Sequence, residues 1–169
     1  MEIFDDFLHD DELSYLKEYV QEKSWRPQYS SPTNPYRLPF LKCFTPKQGK
    51  KQFIPSFPNV DARFFFHNKI FSRIKKLIGE YTIDDVYLNG QHYGMDGCFH
   101  VDNCDRTVLI YVSDYHPEWG GFTQVGDDIV APITKRMISF DGMIKHKAFA
   151  FSRQTCPVRI TLAYKLTSK

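Results

Sequence analysis

The stretch Gly97-Cys98-Phe99-His100-Val101-Asp102-Asn103 sets an imidazole two residues from a carboxylate. In an extended strand, residues i and i+2 share a face, so His100 and Asp102 would stand side by side. Two such donors make half of a metal site, and the third must come from elsewhere. Taken alone, the HxD tripeptide also fits a surface histidine beside a solvated aspartate. Its downstream context narrows the reading. Asp141-Gly142-Met143-Ile144-Lys145-His146 brings a second histidine 46 residues after the first. Two histidines and one carboxylate, gathered on one side of an ion, leave positions open on the other, which suits Fe(II) handling oxygen. Thirteen residues further on, Arg159 lies in Val158-Arg159-Ile160-Thr161-Leu162-Ala163-Tyr164. It alternates there with apolar residues and shares a face with Thr161. A guanidinium on an apolar face needs a partner, since an unpaired buried charge is very costly. A carboxylate ligand gripped by two parallel hydrogen bonds meets that need.

These residues have to be carried by short strands. After Gly79, β-branched and aromatic runs alternate with Gly, Asp and Pro. The pattern predicts strands at Ile83–Asn89, Cys98–Val101, Thr107–Ser113, Phe122–Val125, Ile129–Pro132, Arg136–Phe140, Ala148–Phe151 and Val158–Leu166. Short strands separated by turn signals read as a sandwich, jelly roll or barrel. Two helices precede them. Leu13, Leu16 and Val20 predict one over Asp11–Lys23, with Asp10-Asp11-Glu12 supplying a cap and charge that favours the helix start. Ile70, Phe71, Ile74, Leu77 and Ile78 predict another over His67–Ile78, stopped at Gly79. Phe64-Phe65-Phe66 reads as core leading into it. Between the helices, residues 27–60 hold seven of the ten prolines, five bases and no acid. Proline rules out a regular helix or a central strand here, so an irregular excursion with short extended pieces is expected. Its aromatic residues argue for a packed loop, with the reach of a lid over a metal site. Its bases are expected to meet either an acidic substrate or, as favoured here, the eight acids of residues 1–22.

The remaining features bound the function. A chain of 169 residues suits one domain: helical support and Pro-rich loop over 1–79, and β core over 80–169. A net charge of +2 gives no bulk reason to expect a nucleic-acid or membrane partner, and 16% aromatic residues exclude disorder. No apolar run approaches the roughly 20 residues of a membrane span. The acidic start lacks the layout of a signal peptide. Cys43, Cys98, Cys104 and Cys156 form no CxxC pair, so free thiols in a reducing, cytoplasmic setting are expected. His9 and His67 are placed at helix starts and His116 in a hairpin loop, all as surface residues. His92 has no carboxylate two residues away.

In order, the chain reads HxD, Gly120-Gly121-Phe122-Thr123, the distal His146, then Arg159-x-Thr161. This order resembles the Fe(II)/2-oxoglutarate-dependent oxygenase superfamily, in its prolyl 4-hydroxylase-like branch. The segment from Asn89 to Gly97 is similar to a compact bacterial and phage-type subgroup. The likeness spans about half of the chain, from Val86 to Leu166. It implies a double-stranded β-helix (jelly roll) with N-terminal helices packed on one sheet. It implies His100, Asp102 and His146 as ligands of Fe(II). Arg159 would pair with the far carboxylate of the co-substrate 2-oxoglutarate, assisted by Thr161 and by Tyr111. Thr123 would line the pocket, with Tyr93 and Gln91 nearby. The implied activity is a dioxygenase that uses O₂ and couples decarboxylation of 2-oxoglutarate to succinate with substrate hydroxylation. Its partner would be a small molecule or a peptide. Two departures leave the substrate open: no proline closely follows His146, and Arg159 stands where collagen-type enzymes often carry lysine. The alternatives are a nucleic-acid demethylase of the same superfamily and a non-catalytic cupin-like binding domain.

Overall fold

The computed structural model describes residues 1–22, 26–29, 39–44 and 61–169. Among the described residues, ten strands form two antiparallel sheets. They are β1 (Glu2–Phe4), β2 (Arg26–Tyr29), β3 (Pro39–Phe44), β4 (Tyr81–Gln91), β5 (Arg106–Tyr111), β6 (Thr123–Val125), β7 (Asp128–Val130), β8 (Met137–Asp141), β9 (His146–Ala148) and β10 (Arg159–Ser168). The large sheet runs β1-β8-β5-β10-β4-β3-β2 and the small one β7-β6-β9. Two facing antiparallel sheets with long crossings between them make the jelly roll.

The large sheet is apolar on both faces, which explains why β5 reads as an unbroken run, Thr-Val-Leu-Ile-Tyr, without polar alternation. Its outer face carries Val86, Leu88, Val108, Ile110, Met137, Leu162, Tyr164 and Leu166. Leu16, Tyr19, Phe65, Phe66, Ile70 and Ile74 from the helices close over it. The Tyr164 hydroxyl donates to the Phe66 carbonyl at 2.8 Å, tying the central strand to the helical layer. The inner face carries Leu109, Tyr111, Ile138, Phe140 and Ala163 against Val125 and Val130 of the small sheet. Neighbouring residues of one strand therefore serve different cores: Leu162 and Tyr164 bind the helices, while Arg159, Thr161 and Ala163 face the gap between the sheets.

Helix α1 spans Asp10–Glu22. At its start the His9 amide donates to Glu12 Oε2 at 2.9 Å, the reciprocal half of a capping box. The second helical region begins earlier than expected, with α2 (Ala62–Phe64), a π-helical segment (Phe65–Ile70) and α3 (Phe71–Ile78) in direct succession. Phe64-Phe65-Phe66 therefore belongs to the helix and does not lead into it, and His67 lies inside the helix. The cause is Asp61, whose carboxylate caps the Arg63 amide at 2.9 Å. Gly79 ends α3 at φ 101°, a conformation that glycine adopts at no steric cost.

Residues 27–60 contribute two strands to the large sheet. The β2–β3 pair docks on β4, so β3 lies inside the sheet although it opens on Pro39. Proline is excluded only where its missing N–H would be needed, and it is tolerated at the first residue of a strand and on the edge strand β2. Whether this stretch covers a site, and where its bases pair, lies outside the described residues. Several acids of the N-terminal segment pair elsewhere: Glu2 with Arg106, Asp5 with Arg136, Asp10 with Lys135, and Glu12 with Arg73. Two further boundaries move. Cys98–Val101 is no strand, and β9 runs His146–Ala148 in place of Ala148–Phe151. Among the described residues no helix is long and apolar enough to cross a membrane.

The Glu12 side chain is fully buried, with Arg73 at 2.5 Å and Lys69 at 3.3 Å. Burial pushes its carboxyl pKa up, but the Arg73 hydrogen bond, the His9 amide and both cations outweigh that and hold it below the usual range. Removing one partner of a buried pair leaves the other uncompensated, so Glu12→Ala should cost about 3 kcal/mol in urea unfolding. A loss below about 0.5 kcal/mol would mean that the apolar face alone docks α1.

Candidate metal centre

His100 and His146 stand opposite each other in an isolated antiparallel bridge. Their backbones exchange both hydrogen bonds, His100 N to His146 O at 3.1 Å and His146 N to His100 O at 2.9 Å. The rings lie 4.3 Å apart, and Phe140 packs edge-on against His146 at 4.9 Å. Asp102 is not delivered by a continuous strand. Its amide reaches the Gly142 carbonyl at 2.8 Å, and the chain then turns at Asn103, φ 30°. Strand alternation thus names the right neighbours for a different reason. A single bridge followed by a bend puts the two side chains together. Upstream, Gly97 donates to Ala148 O at 2.7 Å, and a Cβ there would meet that carbonyl at 3.0 Å. The segment is pinned at points and has no ladder to make it a strand.

The three side chains converge. His146 Nε2 lies 3.1 Å from Asp102 Oδ2, and His100 Nε2 lies 3.5 Å from Asp102 Oδ1. All three donor atoms fall within 4.8 Å of one another, the geometry of a group able to hold a metal ion. The histidine rings are oriented from behind. His100 Nδ1 lies 2.9 Å from the Cys98 carbonyl, and His146 Nδ1 lies 2.9 Å from the Ile144 carbonyl. A carbonyl only accepts, so each Nδ1 carries the proton. That leaves each Nε2 facing the cluster, as the donor atom a metal would use once any proton there is lost. Asp102 is held by the Thr107 hydroxyl, which donates to Oδ2 at 2.7 Å, and by the Lys165 ammonium on the same oxygen. Burial raises the Asp102 pKa, but His100, His146 and Lys165 overcome it and hold the carboxyl far below its ordinary range. For His100, burial lowers the pKa, and the hydrogen bond to Asp102 more than reverses this.

Arg159 occupies the other end of the inner face. It is 1% exposed, and all of its described partners are neutral acceptors. Nε donates to Gly121 O at 2.7 Å, one terminal nitrogen to Gln91 Oε1 at 2.9 Å, and the other to Thr123 Oγ1 at 2.8 Å. Its guanidinium lies over the Tyr111 ring at 5.5 Å, and the Tyr111 hydroxyl donates to Thr123 at 2.8 Å. Gly121 permits this corner: its φ is 75°, and a Cβ would meet the Phe151 ring at 2.5 Å. Among the described residues Arg159 has no carboxylate partner, and burial lowers its pKa. Thr161 sits directly across from Tyr111 in the ladder and is 2% exposed. Gln91, Tyr111, Thr123, Arg159 and Thr161 thus gather in one buried cluster. Tyr93 does not join it. It is 54% exposed in the loop after β4. Sequence reasoning missed Thr107 and Lys165. Their signal was alternation on β5 and β10, which aims both inward at the level of Asp102.

No family model and no curated protein matches the chain. Solved structures do. An oxidoreductase of the 2OG-Fe(II) oxygenase family from Burkholderia pseudomallei matches at a TM-score of 0.67 and 12% identity, over 95% of this chain and 80% of that one. A Trichoplax adhaerens prolyl hydroxylase, in complex with a hypoxia inducible factor peptide fragment, matches at 0.69 and 15%, over 98% and 82%. HygX from Streptomyces hygroscopicus, with nickel, 2-oxoglutarate and hygromycin B bound, matches at 0.60 and 11%, over 99% and 82%. The fold is that of the 2-oxoglutarate/Fe(II) oxygenases. The expected double-stranded β-helix, with helices on one sheet, is the observed one.

A metal held by this cluster would have to displace any proton on His100 Nε2. Because that proton is held more firmly than on a free imidazole of pKa 6.5, metal affinity should climb with pH through and above 6.5. Chelator competition with Co(II) at pH 6, 7 and 8 reads this directly. An affinity independent of pH would contradict ligation by these histidines.

Proposed function

We propose that this protein is an Fe(II)- and 2-oxoglutarate-dependent dioxygenase, a hydroxylase of the prolyl hydroxylase type. The observation that carries the reading is Arg159. It is a fully buried guanidinium without an acidic partner among the described residues, on the same inner face as a His-Asp-His cluster. A neutralised structural arginine would bring its own carboxylate. Here neutral acceptors orient the group and leave its charge for a ligand.

His100, Asp102 and His146 would hold Fe(II). Bound there with 2-oxoglutarate, the iron supplies oxygen activation that couples loss of CO₂ from the co-substrate to hydroxylation of a C–H bond. The chain's own residues bind and shield. Arg159 pairs with the far carboxylate of 2-oxoglutarate. Thr123 Oγ1 already accepts from Arg159 and Tyr111, so its own hydrogen is left to donate to that carboxylate. Tyr111 and Thr161 wall the same end. Leu109, Ile138, Phe140, Ala163, Val125 and Val130 form an apolar floor that keeps water from the reacting atoms. The two imidazoles, locked at Nδ1, keep one tautomer through turnover.

Exposed apolar side chains flank the ligands in sequence: Phe99 before His100, and Met143 and Ile144 before His146, at 51%, 61% and 37% exposure. Such a surround supports a peptide or a small molecule with apolar parts. The Trichoplax neighbour holds a peptide and HygX holds hygromycin B, so this fold admits both.

Succinate formation against a panel of proline peptides, free amino acids and methylated oligonucleotides tests the reading, and peptide-dependent succinate is the expected result. His146→Ala should abolish it together with Fe(II) binding, and retained turnover would refute the ligand assignment. Arg159→Leu should weaken 2-oxoglutarate binding at least tenfold while metal stays bound, since a charge-assisted hydrogen bond contributes roughly 1.5–3 kcal/mol. Unchanged 2-oxoglutarate affinity would reject the anchor.

A further inference from the structure

Lys165 has no part in the function proposed above, yet it sits at the centre of the site. It follows Arg159, Thr161 and Ala163 on the inward face of β10, across from Thr107 of β5. Its ammonium contacts Asp102 Oδ2, the oxygen that also accepts from Thr107 and lies 3.1 Å from His146. The Lys165 side chain is 15% exposed and that of Asp102 8%. Water therefore screens neither charge well. A lysine at this place is not needed to hold the aspartate, because the Thr107 hydroxyl and the Gly142 carbonyl already fix it. Its distinct contribution is a full positive charge at the atom that a metal would use.

Resting on the reading of His100, Asp102 and His146 as the metal ligands, we infer that Lys165 is a built-in counter-cation. It neutralises Asp102 in the metal-free protein, and an incoming divalent ion must displace it. With Lys165 in place, its ammonium offsets the Asp102 carboxylate, the one anionic ligand of the three. A divalent ion therefore enters a site stripped of net negative charge, beside a like charge, and binds less tightly than the three ligands alone would allow. Metal loading is thereby set by a competition inside the protein.

The sign of one measurement decides. Co(II) binding to the full chain, followed by its visible absorption and by chelator competition, needs neither oxygen nor 2-oxoglutarate. Lys165→Met should bind Co(II) at least tenfold more tightly than wild type, and Lys165→Gln, which keeps a hydrogen-bond donor without the charge, should do the same. Lys165→Arg, which keeps the charge, should stay within a few fold of wild type. If Lys165 only props Asp102, the neutral variants bind more weakly. That outcome, or an unchanged affinity in a folded Met or Gln variant, overturns the inference. His100→Ala run alongside separates the two levels. Loss of Co(II) in that variant keeps the site reading standing whichever way the Lys165 variants fall. Full Co(II) binding to it removes the site, and the inference with it.

Discussion

A guanidinium carried to the bottom of a β-sandwich, with only neutral groups among the described residues to receive it, is the constraint on which this structure turns. Burying Arg159 strips its hydration, and three oriented acceptors from three separate elements return part of it. Each acceptor dictates something else. The Gly121 carbonyl requires a glycine corner, the Gln91 amide must stand at the end of β4, and the Thr123 hydroxyl must face inward from β6. The two sheets are therefore held in one relative position at the end where the co-substrate would dock. Under the proposed function, the charge left over would turn an apolar gap into an anion site.

The metal cluster depends on a different economy. Residues 92–103 leave no ladder behind them. Yet one bridge between His100 and His146, with the amides of Gly97 and Asp102 on either side of it, brings three donors within 4.8 Å. Short backbone pins suit an ion site, because each imidazole needs only one fixed ring nitrogen and a fixed Cα to be aimed. The helices do not touch this chemistry. They cover the outer face of the large sheet and let its inner face carry polar work. Without that cover, β4, β5 and β10 would expose an apolar surface too large for a monomer in water.

Much of the scaffold could be read from residue pattern. The periodicities of α1 and α3 and the strands β4, β5, β8 and β10 appear where apolar spacing and turn residues put them, within two residues or so. Boundaries failed where local signals were overridden. Asp61 caps a helix that the apolar stripe alone would start at His67. Pro39 opens a strand inside a sheet, because its missing N–H falls at a strand start. Cys98–Val101 looks β-branched and aromatic, yet it lacks a partner ladder on both sides. Propensity describes a residue's own backbone, whereas a strand needs neighbours to receive its hydrogen bonds.

The linear order of His100, Asp102, His146 and Arg159, and the alternation that turns Arg159 and Thr161 to one face, belong to the sequence alone. They are properties of residue type and spacing, and they carry the chemistry wherever the strands close. What only the tertiary structure decided is which groups those residues meet. That Arg159 has amide, hydroxyl and carbonyl partners and no acid among the described residues, that both Nδ1 atoms face carbonyls, and that Lys165 reaches Asp102 across 63 residues are results of sheet register. Register is fixed by the sum of many cross-strand contacts and by the helices packed behind them, and no single residue encodes that sum.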